Sequence, residues 1–487
     1  MDNNKKQIIG GVMWKFSERI LAQVVSTVVA VVLARILDPA EYGSIALVSV
    51  FISFANMLMI SGFNVSLIQK QNADNVDFST VFFFNIGVSV VLYGVVFAIS
   101  GLVADFYAIP ELKSVLQILG LSIPLTAVNS VQQAYVSRKM LFKRFFWSTL
   151  FGTLLSGVVG IYMAYQGFGV YALVAQTLVN TAVNTLVLWI TVDWRPQLVF
   201  SLERLKGLFD YGWKLLVQNI VLNVYSSLRS LVIGKIYTTE DLAFYTKGNQ
   251  YPNLIATNVD TAINSVLLPA MAKEQDDKER VKDMARWTTS LSSYIMSALL
   301  IGMAAVAEQF VELLLTEKWL PAVPFLRIAC IVLLFVAPQT AMLQAVKAVG
   351  RSDIVLKVDL PIRVFAFVVL LIAIPFGVIY IAISEVLTTV FGTVLYMVAA
   401  YRTVGYKPKE LLMDFLPNTA IAAIMGVSVW QLGNILPFST AVTLVLQVLA
   451  GAVLYGLLSV LTKNRSMLYM LRELGIVKRL QFLKNKK

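Results

Sequence analysis

Charged side chains inside long apolar segments are the residues of this sequence best suited to chemistry. Arg229, Lys247 and Arg327 interrupt apolar segments in the second half of the chain, and Arg19 lies near the start of the first segment. A charge in hydrocarbon is costly, so it usually faces a polar cavity or a partner. Guanidinium and ammonium groups suit phosphate oxygens. The four cations predict a cavity that binds a phosphate or pyrophosphate, although each alone could reach the membrane surface.

Acids and amides accompany these cations. Glu18, Asp260 and Glu385 could pair with a cation or bind H⁺ or Na⁺ during a transport cycle. Amide side chains on neighbouring turns could bond sugar hydroxyls or hold helices together. The candidate sugar contacts are Asn56, Asn64, Asn129, Gln133, Asn223, Asn249 and Asn253.

Catalytic motifs are missing from the sequence. It contains no histidine, which removes the usual general base and the commonest metal ligand, and its single cysteine, Cys330, lies in an apolar run. No phosphate-cradling glycine loop or nucleophile motif is present. We therefore expect a chain that is not an enzyme and holds no metal or cofactor, with carboxylates left to carry any coupling to H⁺ or Na⁺.

The elements that position these residues are membrane-spanning helices. The 487 residues are 58% hydrophobic and 14% charged, and a globular domain is about a quarter charged. Apolar segments long enough to cross hydrocarbon as helices recur along the whole chain. We predict about fourteen spans, near 12–36, 42–68, 78–104, 114–135, 146–165, 169–192, 213–234, 242–268, 287–311, 322–346, 358–376, 378–401, 414–433 and 440–462.

The net charge of +12 lies mainly in alternate loops. Basic loops stay on the cytoplasmic side of a membrane. The distribution therefore indicates a multi-pass protein of the bacterial cytoplasmic membrane with both termini inside, and it excludes nucleic acid as the reason for the charge.

Internal repetition relates the two halves of the chain. Glu41 matches Asp241 and Asn64 matches Asn264 at a shift of about 200 residues, and Gln133 falls on Gln344 after a small insertion. Duplicated bundles are common in transporters. We predict an all-α fold of two pseudo-symmetric six-helix lobes and a C-terminal helix pair. The segments are lobe 1–192, amphipathic cytoplasmic linker 193–212, lobe 213–402, helix pair 403–463 and basic tail 464–487, which should lie on anionic lipid.

Three short motifs resemble one family of transporters. They are the turn Ala34 to Gly43, the segment Trp194-Arg195-Pro196 and the segment Leu268-Pro269-Ala270. They resemble Wzx-type exporters of lipopolysaccharide, exopolysaccharide and teichuronic acid in the multidrug/oligosaccharidyl-lipid/polysaccharide superfamily.

The resemblance implies a V of helices, similar to that of multidrug antiporters of the MATE type, that flips a polyprenyl-diphosphate-linked glycan. It also implies a monomer working beside the polymerase and glycosyltransferases of one pathway. Arg229 stands where relatives often carry an acid, which favours anion binding there over ion coupling.

Three other functions remain open from the sequence. A MATE-like multidrug antiporter would need acidic, aromatic-lined sites, whereas cations outnumber acids inside the spans here. A peptidoglycan-precursor (lipid II) flippase would share the fold. A membrane glycan polymerase would need a large outward loop with catalytic residues, and the predicted outward loops are short.

The predicted topology can be tested by cysteine labelling in a Cys330→Ala background. In intact cells we expect an impermeant maleimide to label Glu240→Cys, in a predicted outward loop, and not Lys139→Cys. Permeabilising the cells should make Lys139→Cys reactive. Labelling of Lys139→Cys from outside intact cells would overturn the topology.

Overall fold

The described chain is a succession of long helices. The computed structural model describes residues 21–60 and 62–473. Within those ranges the secondary structure is α-helix with short 3-10 turns, and no β-strand occurs there. A helix satisfies its own backbone hydrogen bonds, which hydrocarbon cannot do. The predicted all-α membrane class is confirmed.

Packing divides the chain into two compact units, Met1–Ala243 and Phe244–Lys487. The helices of the first unit are α1 (Leu21–Ile36), α2 (Pro39–Ile60), α3 (Phe63–Gln69), α4 (Asn75–Tyr107), α5 (Glu111–Gly120), α6 (Ser122–Arg138), α7 (Phe142–Tyr165), α8 (Val170–Thr191) and α9 (Leu202–Ile236). Helix α10 (Thr239–Lys273) begins in the first unit and continues into the second.

The second unit continues the helical pattern. Its further helices are α11 (Lys278–Ala305), α12 (Ala307–Leu315), α13 (Val323–Leu334), α14 (Val336–Ala348), α15 (Ser352–Ala373), α16 (Val378–Val404), α17 (Pro408–Ile435), α18 (Thr440–Leu461) and α19 (Arg465–Glu473), with 3-10 turns at Glu317–Ala322 and Ile374–Phe376. Helix α19 opens the predicted basic tail, whose remainder lies outside the described residues.

Eleven helical segments within the described residues are long and apolar enough to cross a membrane. Helices α9 and α10 have 35 residues each, which exceeds the length a span needs, but they are less apolar. The chain is a multi-pass membrane protein. The total of fourteen spans stays a prediction.

The predicted linker 193–212 differs from the structure in its second half. Helix α9 already begins at Leu202, where the Ser201 hydroxyl accepts a hydrogen bond from the Arg204 N–H at 3.3 Å. No proline follows within α9 to interrupt the helix. The second half of the predicted linker and the predicted span 213–234 therefore form one continuous helix, capped by Ser201. Helix α9 packs against α2, α3 and α4, within the first unit. The lobe boundaries inferred from duplication stay a prediction.

Two predicted spans, 114–135 and 322–346, are each broken by a kink. The break lies at Leu121 between α5 and α6, and at Phe335 between α13 and α14. A proline follows three residues later in both places, Pro124 and Pro338. Proline lacks the N–H that would bond the carbonyl four residues earlier, so the helix is interrupted. The same defect at the same place in both units supports the predicted duplication.

The kinks also give a second way to align the two halves of the chain. Ser130 lies six residues after Pro124, as Gln344 lies six after Pro338. The Ser130 carbonyl accepts from the Asn64 amide at 3.2 Å, and Gln344 donates to Asn264 at 2.6 Å. Counted from the prolines, Gln344 corresponds to Ser130, one helical turn before the predicted partner Gln133. The pairing of Gln133 with Gln344 stays a prediction.

Small residues bring α7 and α8 together. Gly152, Ser156 and Gly160 recur every four residues on α7, a spacing that lets membrane helices approach closely. A Cβ on Gly160 would lie 3.0 Å from the Gln176 Cβ. The Ser156 hydroxyl accepts from Asn180 of α8 at 3.3 Å. The pair is held by close packing and side-chain hydrogen bonds.

A buried carboxylate joins the ends of three helices in the first unit. Asp77 is 0% exposed and accepts from Lys70 Nζ at 2.7 Å and from Arg204 Nη1 at 3.3 Å. Its backbone N–H donates to Asp74, which caps α4, and this hydrogen bond lowers the pKa of the Asp74 carboxyl. A buried charge needs such pairing, so Asp77 ties α4 to α9 and to the turn after α3.

The turn Ala34 to Gly43, one of the motifs shared with the exporters, ends in a glycine at a position where a side chain would not fit. A Cβ on Gly43 would lie 1.9 Å from the backbone oxygen of Thr239, so α2 and α10 begin in direct backbone contact. We expect Gly43→Ala to lower the free energy of unfolding by about 1–3 kcal/mol, since two backbones must separate. Gly94→Ala is the control, because nothing lies within 4 Å of its Cβ position. Equal thermal melting of the two purified variants in detergent would contradict the contact.

Candidate functional site

The predicted cations are held in different surroundings. Arg229, on α9 in the first unit, is 5% exposed. Lys247, on α10 in the second unit, is also buried, with Nζ 5.7 Å from the centre of the Trp319 ring, a cation–π contact. Arg327, on α13, donates to Glu308 at 3.0 Å and to a backbone oxygen. Arg19 and Glu18 lie outside the described residues.

The structure places the predicted acids Asp260 and Glu385 beside hydrogen-bond donors in the second unit. Asp260 accepts from the Thr340 hydroxyl at 2.6 Å and from the Asn264 amide at 2.8 Å. The Tyr245 hydroxyl donates to Glu385 at 3.5 Å. Hydroxyl and amide donors stabilise a carboxylate without neutralising it. Asp260 is the centre of a polar network between α10 and α14 that Gln344 extends.

Polar side chains on α10 follow one another every three or four residues, the spacing of one helix face. This α10 stripe consists of Asn249, Asn253, Thr257, Asp260 and Asn264. Asn253 and Thr257 are exposed. Helix α10 contains the predicted span 242–268, and an exposed polar face on such a span should line a water-filled cavity rather than lipid.

The two amides at the start of the α10 stripe are oriented by their own helix. Asn249 donates to the Tyr245 carbonyl and Asn253 to the Asn249 carbonyl, each at 2.8 Å. An amide group has two N–H donors and one acceptor oxygen. Within the described part of the chain, each amide keeps its oxygen and second N–H for a ligand. Such paired donors and acceptors suit sugar hydroxyls.

An equivalent α2 stripe occurs in the first unit. It consists of Ser49, Ser53 and Asn56, and both serines are exposed. Ser49 and Ser53 occupy the positions of Asn249 and Asn253 at the repeat shift found in the sequence. Over the residues described, the Asn56 Oδ1 is buried without a hydrogen-bond partner. Each unit therefore presents a polar face on its equivalent helix.

The remaining predicted amides lie apart from the two stripes. Asn129 is buried, and Gln133 is exposed and lines a cavity of about 340 Å³ in the first unit with Ser137, Thr149 and Asn184. Asn223 accepts from the Ser227 hydroxyl of the next turn at 3.5 Å. The structure leaves the role of these three amides as a prediction.

Sequence reasoning missed the hydroxyl members of the site. Thr257, Thr340 and the two serines of the α2 stripe were not singled out, because a lone hydroxyl is common in any membrane helix. Three of them have a periodic signal: Thr257 continues the four-residue spacing of Asn249 and Asn253, and the two serines precede Asn56 at the same kind of spacing. No group of acids and cysteines in the described residues could hold a metal ion.

This chain is similar in sequence to known proteins. A family model described as "Polysaccharide biosynthesis protein" matches residues 32–324. The succinoglycan biosynthesis transport protein ExoT of Rhizobium meliloti (strain 1021) is 24% identical over 351 residues, which cover 72% of this chain and 71% of ExoT. The lipopolysaccharide biosynthesis protein WzxC of Escherichia coli (strain K12) is 23% identical over 435 residues, covering 87% and 88%.

A solved structure shares the fold. The lipid II flippase MurJ in an inward closed conformation matches with a TM-score of 0.75 and 12% identity, covering 93% of this chain and 99% of that one. At this identity the likeness establishes the arrangement of the helices. Which substrate is bound depends on the side chains.

Proposed function

This chain belongs to the polysaccharide biosynthesis protein family, and from that premise we propose that it flips polyprenyl-diphosphate-linked oligosaccharide repeat units across the cytoplasmic membrane by alternating access. The product would feed the assembly of a surface polysaccharide. The observation that carries this proposal is the α10 stripe, a row of hydrogen-bonding side chains of which Asn253 and Thr257 are exposed.

The physics of the substrate explains why such a surface is needed. Each hydroxyl of a glycan that loses its hydrogen bonds in hydrocarbon costs several kcal/mol, so the glycan cannot cross unaided. The polyprenyl chain has no such cost and can stay in lipid. The Asn249 and Asn253 amides supply replacement donors and acceptors along the path.

We propose that Arg229 contacts the diphosphate. It is buried on a helix that also carries Asn223 and Ser226 within two turns, so its charge lies in a partly polar region. Arg327 is a weaker candidate than the sequence indicated, since Glu308 offsets its charge. Lys247 lies against Trp319 and is proposed as a second anion contact.

The wider setting is part of the same proposal. The chain would lie in the bacterial cytoplasmic membrane with both termini inside, act as a monomer without catalysis of its own, and pass its product to a polymerase. Asp260 is the proposed coupling group for H⁺ or Na⁺, because its carboxylate is held by neutral donors.

Export of the native polymer tests the α10 stripe. In a strain lacking the chromosomal gene, we expect Asn253→Leu to reduce export about tenfold, since the loss of hydrogen bonds to a ligand in a desolvated site costs about 1–2 kcal/mol. Ser428→Leu is the matched control, an exposed polar residue of α17 bonded to its own helix. If the two variants are present in the membrane at equal levels and export equal amounts of polymer, the proposal is wrong.

A paired comparison of two arginines tests the anion contact. We expect Arg229→Gln to reduce export about tenfold or more, since a charge-assisted hydrogen bond contributes about 1.5–3 kcal/mol. Arg327→Gln should have a smaller effect, because Glu308 already offsets that charge. Drug efflux by the wild type, or rescue of a strain that lacks its lipid II flippase, would favour the alternative functions instead.

A further inference from the structure

A second face of α10 forms an apolar groove with α11. The groove has a volume of about 540 Å³, and Val259, Ala262, Ile263, Trp287, Leu291 and Ile295 line it. Ala262 is exposed, and Ile295 and Trp287 are 36% and 41% exposed. The groove lies wholly within the second unit and opens on its surface.

The lining of the groove is mainly apolar; its polar side chains are Asn258, Thr288 and Ser292, and within the described residues the Thr288 hydroxyl is buried without a hydrogen-bond partner. Asn258 donates to the Leu254 carbonyl at 2.8 Å, and the Ser292 hydroxyl donates to the Thr288 carbonyl. Water entering the groove would find few partners, and a polar ligand would lose its own hydrogen bonds. The groove therefore suits an apolar chain.

The groove lies beside the α10 stripe. Val259 and Ala262 lie on the same turns of α10 as Thr257 and Asp260 of the stripe, on a different side of the helix. A lipid-linked glycan joins a polar head to an apolar chain. Helix α10 offers a surface for each part at the same depth.

The groove also lies at the end of the helices from which the substrate would come. It occupies the part of α10 and α11 nearest the turn between them, where Lys273 ends α10 and Lys278 begins α11. Trp287 in the groove packs on Tyr469 of α19 with ring centres 5.4 Å apart, and such aromatic side chains favour the depth of lipid headgroups. In the predicted topology, this end of α10 and α11 lies at the cytoplasmic leaflet.

From these observations we infer that the groove between α10 and α11 binds the isoprenoid chain of the substrate while the α10 stripe binds its glycan. The inference rests on the proposed function. Its occupant is an isoprenoid rather than a phospholipid acyl chain, because the groove adjoins the stripe and small side chains such as Ala262 and Ala270 leave width for methyl branches.

Photo-crosslinking identifies the occupant directly. Benzoylphenylalanine replaces Ile295 in the groove, or Ala452, an exposed residue of α18, as control. Membranes are irradiated with an undecaprenyl diphosphate disaccharide tritiated in its isoprenoid chain, and each adduct is identified by mass spectrometry. We expect the isoprenoid adduct at Ile295 to exceed that at Ala452 about tenfold, since the reagent captures only neighbours in contact. Phospholipid adducts alone at Ile295 would overturn the inference.

Filling the groove gives an independent readout. We expect Ala262→Trp to reduce the Ile295 isoprenoid adduct about tenfold and export severalfold, because the ring occupies space that the chain needs. Ala452→Trp, the same change on an exposed alanine of the same unit, should leave both unchanged. Undiminished crosslinking in folded Ala262→Trp would also overturn the inference.

The two proposals fail in distinguishable ways. If Asn253→Leu abolishes export but Ile295 captures only phospholipid, the flippase function stands and the groove is a general lipid site. If the wild-type chain restores no export in the deletion strain, the proposed function fails, and isoprenoid capture would then be an unrelated affinity.

Discussion

Bulk lipid offers no hydrogen bonds to the polar groups inside this protein, and that constraint accounts for much of its structure. Backbone groups meet it by forming helices. Side chains meet it by bonding to their own helix, as Asn249 does, or to a neighbour, as Ser148 does to Asn184 at 2.6 Å. Asn253 also bonds to its own helix but is exposed, so its remaining hydrogen-bonding capacity faces the surface of the protein.

The same constraint explains how the fold tolerates two interrupted helices. Each proline kink leaves a carbonyl without its usual donor, a defect that neighbouring helices can re-satisfy in membrane proteins. The Leu121 and Phe335 N–H groups bond three residues back instead of four, to Ile118 and Val332. Both units therefore contain the same local departure from a regular helix at Pro124 and Pro338.

Much of the fold could be predicted because apolar length and periodicity are properties of single segments. The predicted spans 169–192 and 440–462 correspond to α8 and α18 within a few residues. The early start of α9 could not be foreseen from hydropathy, because a Ser cap followed by a charged turn resembles a loop. It becomes predictable only when capping at Ser201 is considered together with the span beyond it.

The site was less predictable than the fold, for a related reason. A charged residue within an apolar segment is conspicuous in a sequence, so Asp260 and Arg229 could be singled out from residue type and position alone. Whether a charge is free to meet a substrate depends on a partner far along the chain, as Glu308 is for Arg327. Hydroxyls such as Thr340 are too common to be selected before their neighbours are known, and only the three-dimensional register assigns Thr340 to Asp260.

The pairing of Asp77 with Arg204 has a consequence for the order of assembly during synthesis. The ribosome releases the chain from its N-terminus, so Asp77 reaches the membrane long before α9 has been made. During that interval Lys70 is its nearby cation, and the arginine that completes the site arrives only after α8 has been translated. The contacts of α9 with α2, α3 and α4 therefore form after the earlier helices have been made, which makes α9 the element that completes the first unit.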